Sequence, residues 1–100
     1  MSMSTSIPHL INGRRTDGGT RTQPVYNPAT GAVSGQVQLA DALTVDAAIA
    51  SAQAAFPAWR NTPPLKRARV MSQFKVLLEQ HADAICALIT AEHGKVLADS

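Results

Sequence analysis

One cysteine and three histidines are the residues best equipped for chemistry, and their neighbours decide whether they can perform it. Cys86 sits on an apolar stripe between Ile85 and Leu88, which suits a small buried hydrophobe; a reactive thiol needs an exposed electropositive setting or a helix N-terminus. His9, His81 and His93 fall on different elements. No two of them stand at metal-ligand spacing near a cysteine or a carboxylate pair, so they read as exposed or locally hydrogen-bonded side chains. Gly18-Gly19 and Gly31 are not placed between a strand and a helix in the spacing of a phosphate cradle, and they read as turns. Lys66, Arg67 and Arg69 lie near the start of a helix, where its dipole disfavours them slightly. A solvated face is the first reading, with a subunit contact or an anionic ligand as the alternative. Glu92-His93-Gly94-Lys95 reads as a helix stop beside a basic residue, or as a support for a neighbouring site, because no third group orients a dyad. No catalytic, cofactor-binding or metal-ligating residue is assigned.

The elements that hold these residues follow from periodicity. Residues 62 to 94 read as one helix, capped by Thr62, opened by Pro63 and Pro64 in its first turn and stopped by Gly94. Val70, Met71, Phe74, Leu77, Leu78, Ala82, Ile85, Cys86 and Ile89 recur at three- and four-residue steps and make a continuous apolar face that needs a partner. Upstream, Asn12-Gly13 predicts a two-residue hairpin between His9-Leu10-Ile11 and Arg14-Arg15-Thr16. Residues 17 to 20 form a flexible turn, and residues 22 to 26 are extended because Pro24 keeps its predecessor out of the helical region. Asn27-Pro28-Ala29-Thr30-Gly31 is a turn. Val33, Gly35, Val37 and Leu39 alternate with polar residues, the pattern of a strand with one face inward.

Thr44 is the expected cap of the next helix, with Asp46 in its first turn. Val45, Ala48, Ile49, Ala52, Ala55, Phe56 and Trp59 form its stripe, and the alanine-rich remainder predicts burial on two sides. Pro57, at about 3 kcal/mol for an interior position, ends or kinks this helix near Phe56. Trp59 would then wedge it against the helix that follows.

The chain has 100 residues, 45% of them hydrophobic and 16% charged, with four aromatics. A domain of this size buries roughly 60 to 65% of its unfolded surface, so its core has little margin. The net charge of +2 does not describe a basic face and does not imply nucleic acid. A lone cysteine permits no internal disulfide, which makes the cytosol the default compartment. No segment approaches the roughly 18 apolar residues of a membrane span, and residues 1 to 6 read as a loose arm without signal-peptide features. The end at Ser100, with neither cap nor polar tail, reads as a cut.

The order of pieces carries a resemblance. Ile11-Asn12-Gly13, Asn27-Pro28-Ala29-Thr30-Gly31, Ala54-Ala55-Phe56-Pro57-Ala58-Trp59, Arg67 to Met71, and Ile89 through Glu92 to Gly94-Lys95 together resemble the N-terminal part of the aldehyde dehydrogenase superfamily over residues 9 to 100. Arg67-Ala68-Arg69-Val70-Met71 with Phe74-Lys75, and Glu92 to Ser100, are most similar to its CoA-acylating branch, the methylmalonate-semialdehyde dehydrogenases. The resemblance implies an α/β fold in a chain several times longer. Residues 7 to 100 would open the NAD-binding domain as a hairpin and strand followed by two or three helices flanking a Rossmann-like sheet. It also implies a cysteine thiolate that attacks a small-molecule aldehyde, hydride transfer to NAD, and release of the thioester to coenzyme A with loss of CO2. A cytoplasmic homo-oligomer, dimer or tetramer, in valine catabolism belongs to the same implication, with no nucleic acid and no membrane as partner. The nucleophile, oxyanion asparagine, general-base glutamate, cofactor lysine and glycine-rich turn of such enzymes would all lie beyond Ser100, and Cys86 does not match the nucleophile.

Three readings follow. The first is malonate or methylmalonate semialdehyde oxidation to acetyl-CoA or propionyl-CoA. The second is a hydrolytic relative such as a succinate-semialdehyde or betaine-aldehyde dehydrogenase. The third is a non-catalytic helical interaction module. Under the first two, the helices would shield the outer flank of the cofactor sheet, and the stripe from Val70 to Ile89 would be covered.

Overall fold

The computed structural model describes residues 5–100, so residues 1–4 of the expected arm lie outside the described residues. Thr5 and Ser6 do not continue a loose arm: they belong to a strand, β1 (Thr5–Ile7). It is followed by β2 (His9–Ile11), β3 (Arg14–Thr16), β4 (Arg21–Tyr26), β5 (Val33–Leu39) and α1 (Ala42–Arg60). Then come α2 (Pro64–Gln80), α3 (Ala82–His93) and a 3₁₀ turn, Leu97–Asp99. The chain divides into two units, Met1–Ala55 and Phe56–Ser100.

In the first unit the hairpin is the one Asn12-Gly13 predicts. β2 and β3 pair His9 with Thr16 and Ile11 with Arg14, and both turn residues have positive φ, 53° and 71°. The second sheet has the order β1-β5-β4, with β5 parallel to β1 and antiparallel to β4. Pro24 is tolerated because β4 is an edge strand and can turn the missing N–H outward. The turn into β5 is fixed by Asn27, whose Oδ1 accepts the Ala29 N–H at 2.8 Å while its own N–H reaches the Ala32 carbonyl at 2.7 Å. The expected inward face of β5 is not segregated: Gln36, Val37, Gln38 and Leu39 are all half-buried. A central strand is flanked on both edges, so neighbouring side chains shade both of its faces.

The start of α1 differs from expectation. Its cap is Asp41, three residues ahead of Thr44, which places Thr44 inside the first turn and Asp46 beyond it. Asp41 Oδ1 accepts the Thr44 backbone N–H at 2.8 Å and the Thr44 hydroxyl at 2.5 Å. An aspartate here satisfies an otherwise orphaned helix donor and meets the positive end of the helix dipole. Both bonds from Thr44 favour the ionised carboxylate and hold Asp41 below the usual carboxylate range. The half-buried face of α1 is Thr44, Ala48 and Ser51, not the larger stripe, whose Val45, Ile49 and Phe56 are exposed. The expected two-sided burial of this helix is therefore not met by any described residue.

Pro57 does not end α1, which continues to Arg60. The helix closes just beyond it: Asn61 N–H binds the Pro57 carbonyl at 3.1 Å, Thr62 N–H the Trp59 carbonyl at 3.1 Å, and the Thr62 hydroxyl the Ala58 carbonyl at 2.8 Å. These bonds capture carbonyls that a helix C-terminus leaves open. Thr62 thus finishes α1 instead of capping α2, whose N-cap is Pro63 with Pro64 at the first helical position. Trp59 is exposed rather than wedged in a joint.

In the second unit the expected single helix is two. His81, at φ −109° and ψ 16°, separates α2 from α3, although His81 N–H still reaches the Leu77 carbonyl and Ile85 N–H the His81 carbonyl. The break falls where Glu79, Gln80 and His81 interrupt the apolar stripe. Asp83 stands in the first turn of the new helix, where a negative charge is favoured. Gly94 ends α3 as predicted, at φ 84°, with its N–H on the Thr90 carbonyl at 2.9 Å. The 3₁₀ turn brings Ser100 back onto α3, where Thr90 and Ser100 hydroxyls lie 3.0 Å apart.

The stripe of α2 is open to solvent. Val70, Met71, Phe74, Leu77 and Leu78 are 42% to 58% exposed, and no described hydrophobic side chain is buried. Within its own unit it has no sheet to cover it: Phe56–Ser100 contributes helices and no strand.

Two expectations follow. Gly94→Ala places an L-residue in the left-handed region at a cost of about 1 kcal/mol, read as an about fivefold rise in amide exchange in the last turn of α3; unchanged exchange there would refute the assignment of that turn. Because the Asp41 carboxylate is favoured in the folded form, its contribution is complete above the ordinary carboxylate range and is lost as pH falls through its lowered folded value. Amide protection at Thr44 should follow that titration, and Asp41→Asn should remove the acid-side step. A step that survives in the variant would mean another group is responsible.

Candidate functional site

The first unit contains an open groove of about 440 Å³ where the hairpin, the turn after it and the first turns of α1 meet. Ile11, Leu43 and Ala47 give it apolar walls, and Thr16, Asp17 and Asp41 give it polar ones. Gly18 and Gly19, read from sequence as a flexible turn, form the seam. A Cβ on Gly18 would overlap the Thr44 side chain, so this position needs glycine for close approach to α1. On the other side His9 Nε2 lies 3.1 Å from the Gly18 carbonyl, and the Arg21 guanidinium reaches the Ala40 carbonyl at 3.5 Å. The turn is therefore held between β2 and α1. His9, expected as a locally hydrogen-bonded side chain, occupies such a place.

The cluster His9, Gly18, Asp41 and Thr44 is what the sequence reading missed. Its signal was present: an aspartate three residues before a threonine is the spacing of a cap and its third helical residue. The apolar stripe from Val45 points to Thr44 as the cap, three residues after the one the helix uses.

The groove offers no nucleophile beside a base. It also does not fit a nucleotide phosphate. The passage from β5 into α1 is a strand-to-helix junction of the kind that can cradle a phosphate, yet its helix N-terminus is filled by the Asp41 carboxylate, which repels a second anion. The Gly18-Gly19 turn joins two strands instead. Neither the β5–α1 junction nor the Gly18-Gly19 turn therefore has the form of a phosphate cradle.

The other sequence candidates belong to the second unit. Cys86 is only half-buried, and its thiol donates to the Ser100 backbone oxygen at 3.2 Å. His81 lies at the break between α2 and α3, and His93 is the last residue of α3. Lys66, Arg67 and Arg69 lie on the opening turns of α2, with Lys66 and Arg69 exposed and Arg67 half-buried. Lys95 Nζ is 3.5 Å from the Asp99 carbonyl. Among the described residues no group of three His, Cys, Asp or Glu side chains could hold a metal, and no helix is long and apolar enough to cross a membrane.

Comparison with known proteins places this arrangement. The family model described as the aldehyde dehydrogenase family matches residues 15–100. The malonate-semialdehyde dehydrogenase of Pseudomonas aeruginosa is 52% identical over 95 residues, which are 95% of this chain and 19% of that protein. The human methylmalonate-semialdehyde/malonate-semialdehyde dehydrogenase, acylating and mitochondrial, is 39% identical over 99% of this chain and 19% of its own length. In three dimensions the crystal structure of methylmalonate-semialdehyde dehydrogenase from Oceanimonas doudoroffii superposes with a TM-score of 0.92 at 62% identity, covering 97% of this chain and 20% of the other. A Sinorhizobium meliloti structure assigned to the same activity and complexed with NAD superposes with a TM-score of 0.95 at 40% identity, over 99% of this chain and 20% of the other. The chain thus spans about a fifth of the length of the relatives it matches. With a family match across residues 15–100 and the same α/β arrangement in solved members, this chain belongs to the aldehyde dehydrogenase family.

Proposed function

We propose that this chain is the N-terminal portion of an enzyme that oxidises malonate or methylmalonate semialdehyde with NAD and coenzyme A. The products are acetyl-CoA or propionyl-CoA, CO2 and NADH. For malonate semialdehyde the balance closes: the aldehyde hydrogen leaves as hydride to NAD, the carboxylate leaves as CO2, and the thiol proton of coenzyme A ends on the methyl carbon. The observation that carries this reading is the 52% identity to a malonate-semialdehyde dehydrogenase across 95% of the chain. The NAD complex of the Sinorhizobium meliloti structure supports the cofactor, and the word acylating in the human relative's name supports coenzyme A. The assembly would be a cytosolic homo-oligomer, a dimer or tetramer, acting in valine catabolism on a small-molecule aldehyde. Its nucleophile and cofactor residues would be supplied from beyond Ser100.

Residues 7 to 100 would form the opening of the NAD-binding domain, with α2 and α3 laid against its sheet. The open stripe of α2 supports this reading, because a face of five large apolar residues in one helix exceeds the scatter of single exposed hydrophobics normal for a surface. The same feature weighs against a self-standing helical module, which would hide such residues within itself. A hydrolytic dehydrogenase is the second reading. It rests on the family match, which is common to acylating and hydrolytic members, and on the same fold in a 3,6-anhydro-L-galactose dehydrogenase, whose TM-score is 0.86 at 27% identity.

Two measurements test these statements. The complete enzyme, given malonate semialdehyde and NAD, should form NADH and acetyl-CoA together and only when coenzyme A is supplied; obligate release of free acid would transfer the assignment to the hydrolytic reading. Phe74→Ala in the complete enzyme should cost about 3 kcal/mol if a sheet covers the stripe. A change within about 0.5 kcal/mol would mean the face stays open and the domain proposal fails.

A further inference from the structure

We draw no further inference here: the strongest candidate, the basic cluster of Lys66, Arg67 and Arg69 around the N-terminus of α2, which has no side-chain cap, rests on a helix N-terminus alone, with Arg67 only half-buried and no second observation that points to an anion there.

Discussion

The junction between β5 and α1 depends on one carboxylate. A helix that begins two residues after a central strand presents unpaired N–H groups close to the sheet, and Asp41 answers them with a single oxygen that accepts both the backbone and the hydroxyl of Thr44. Holding Thr44 in this way fixes the side chain against which Gly18 packs, and the Gly18 carbonyl in turn meets His9. Strand, turn, hairpin and helix are thus linked by contacts that are individually weak and that give these polar groups partners. The arrangement has a chemical consequence as well. A helix N-terminus already neutralised by its own aspartate does not attract a phosphate, so this strand-to-helix passage serves structure.

The second unit shows the opposite economy. Its helices satisfy their backbone well, with Pro64 at the start of α2, Gly94 at the end of α3 and continuous bonding on either side of His81. Their side chains do not bury what they carry. Cys86, Thr90 and Ser100 are drawn together where the 3₁₀ turn folds back, while the large apolar residues of the α2 stripe are exposed. Helix geometry is dictated by neighbours three and four residues apart and forms without a partner. The stabilisation expected from apolar burial requires a second surface, and the helices of Phe56–Ser100 do not provide one.

The family relation gives this imbalance a context. Members that match nearly all of this chain are about five times its length, and the solved structures superpose on nearly all of it.

What the sequence by itself determined were the features that depend on a few adjacent residues. Asn12-Gly13 specified the hairpin because both residues tolerate positive φ, Asn27 with Gly31 specified the next turn, alternation specified β5, and Gly94 specified the end of α3. The ordered set of short motifs likewise carried the family. What only the tertiary structure decided were the choices between local options of similar energy: Asp41 over Thr44 as the cap, Thr62 closing one helix instead of opening another, α1 passing through Pro57, and a break at His81. The first of these is joined to a contact from elsewhere in the chain, Gly18 against Thr44. Spacing along a chain reports the periodicity of a helix, but the partner of each polar group and the cover of each apolar face are set by contacts between residues far apart in sequence.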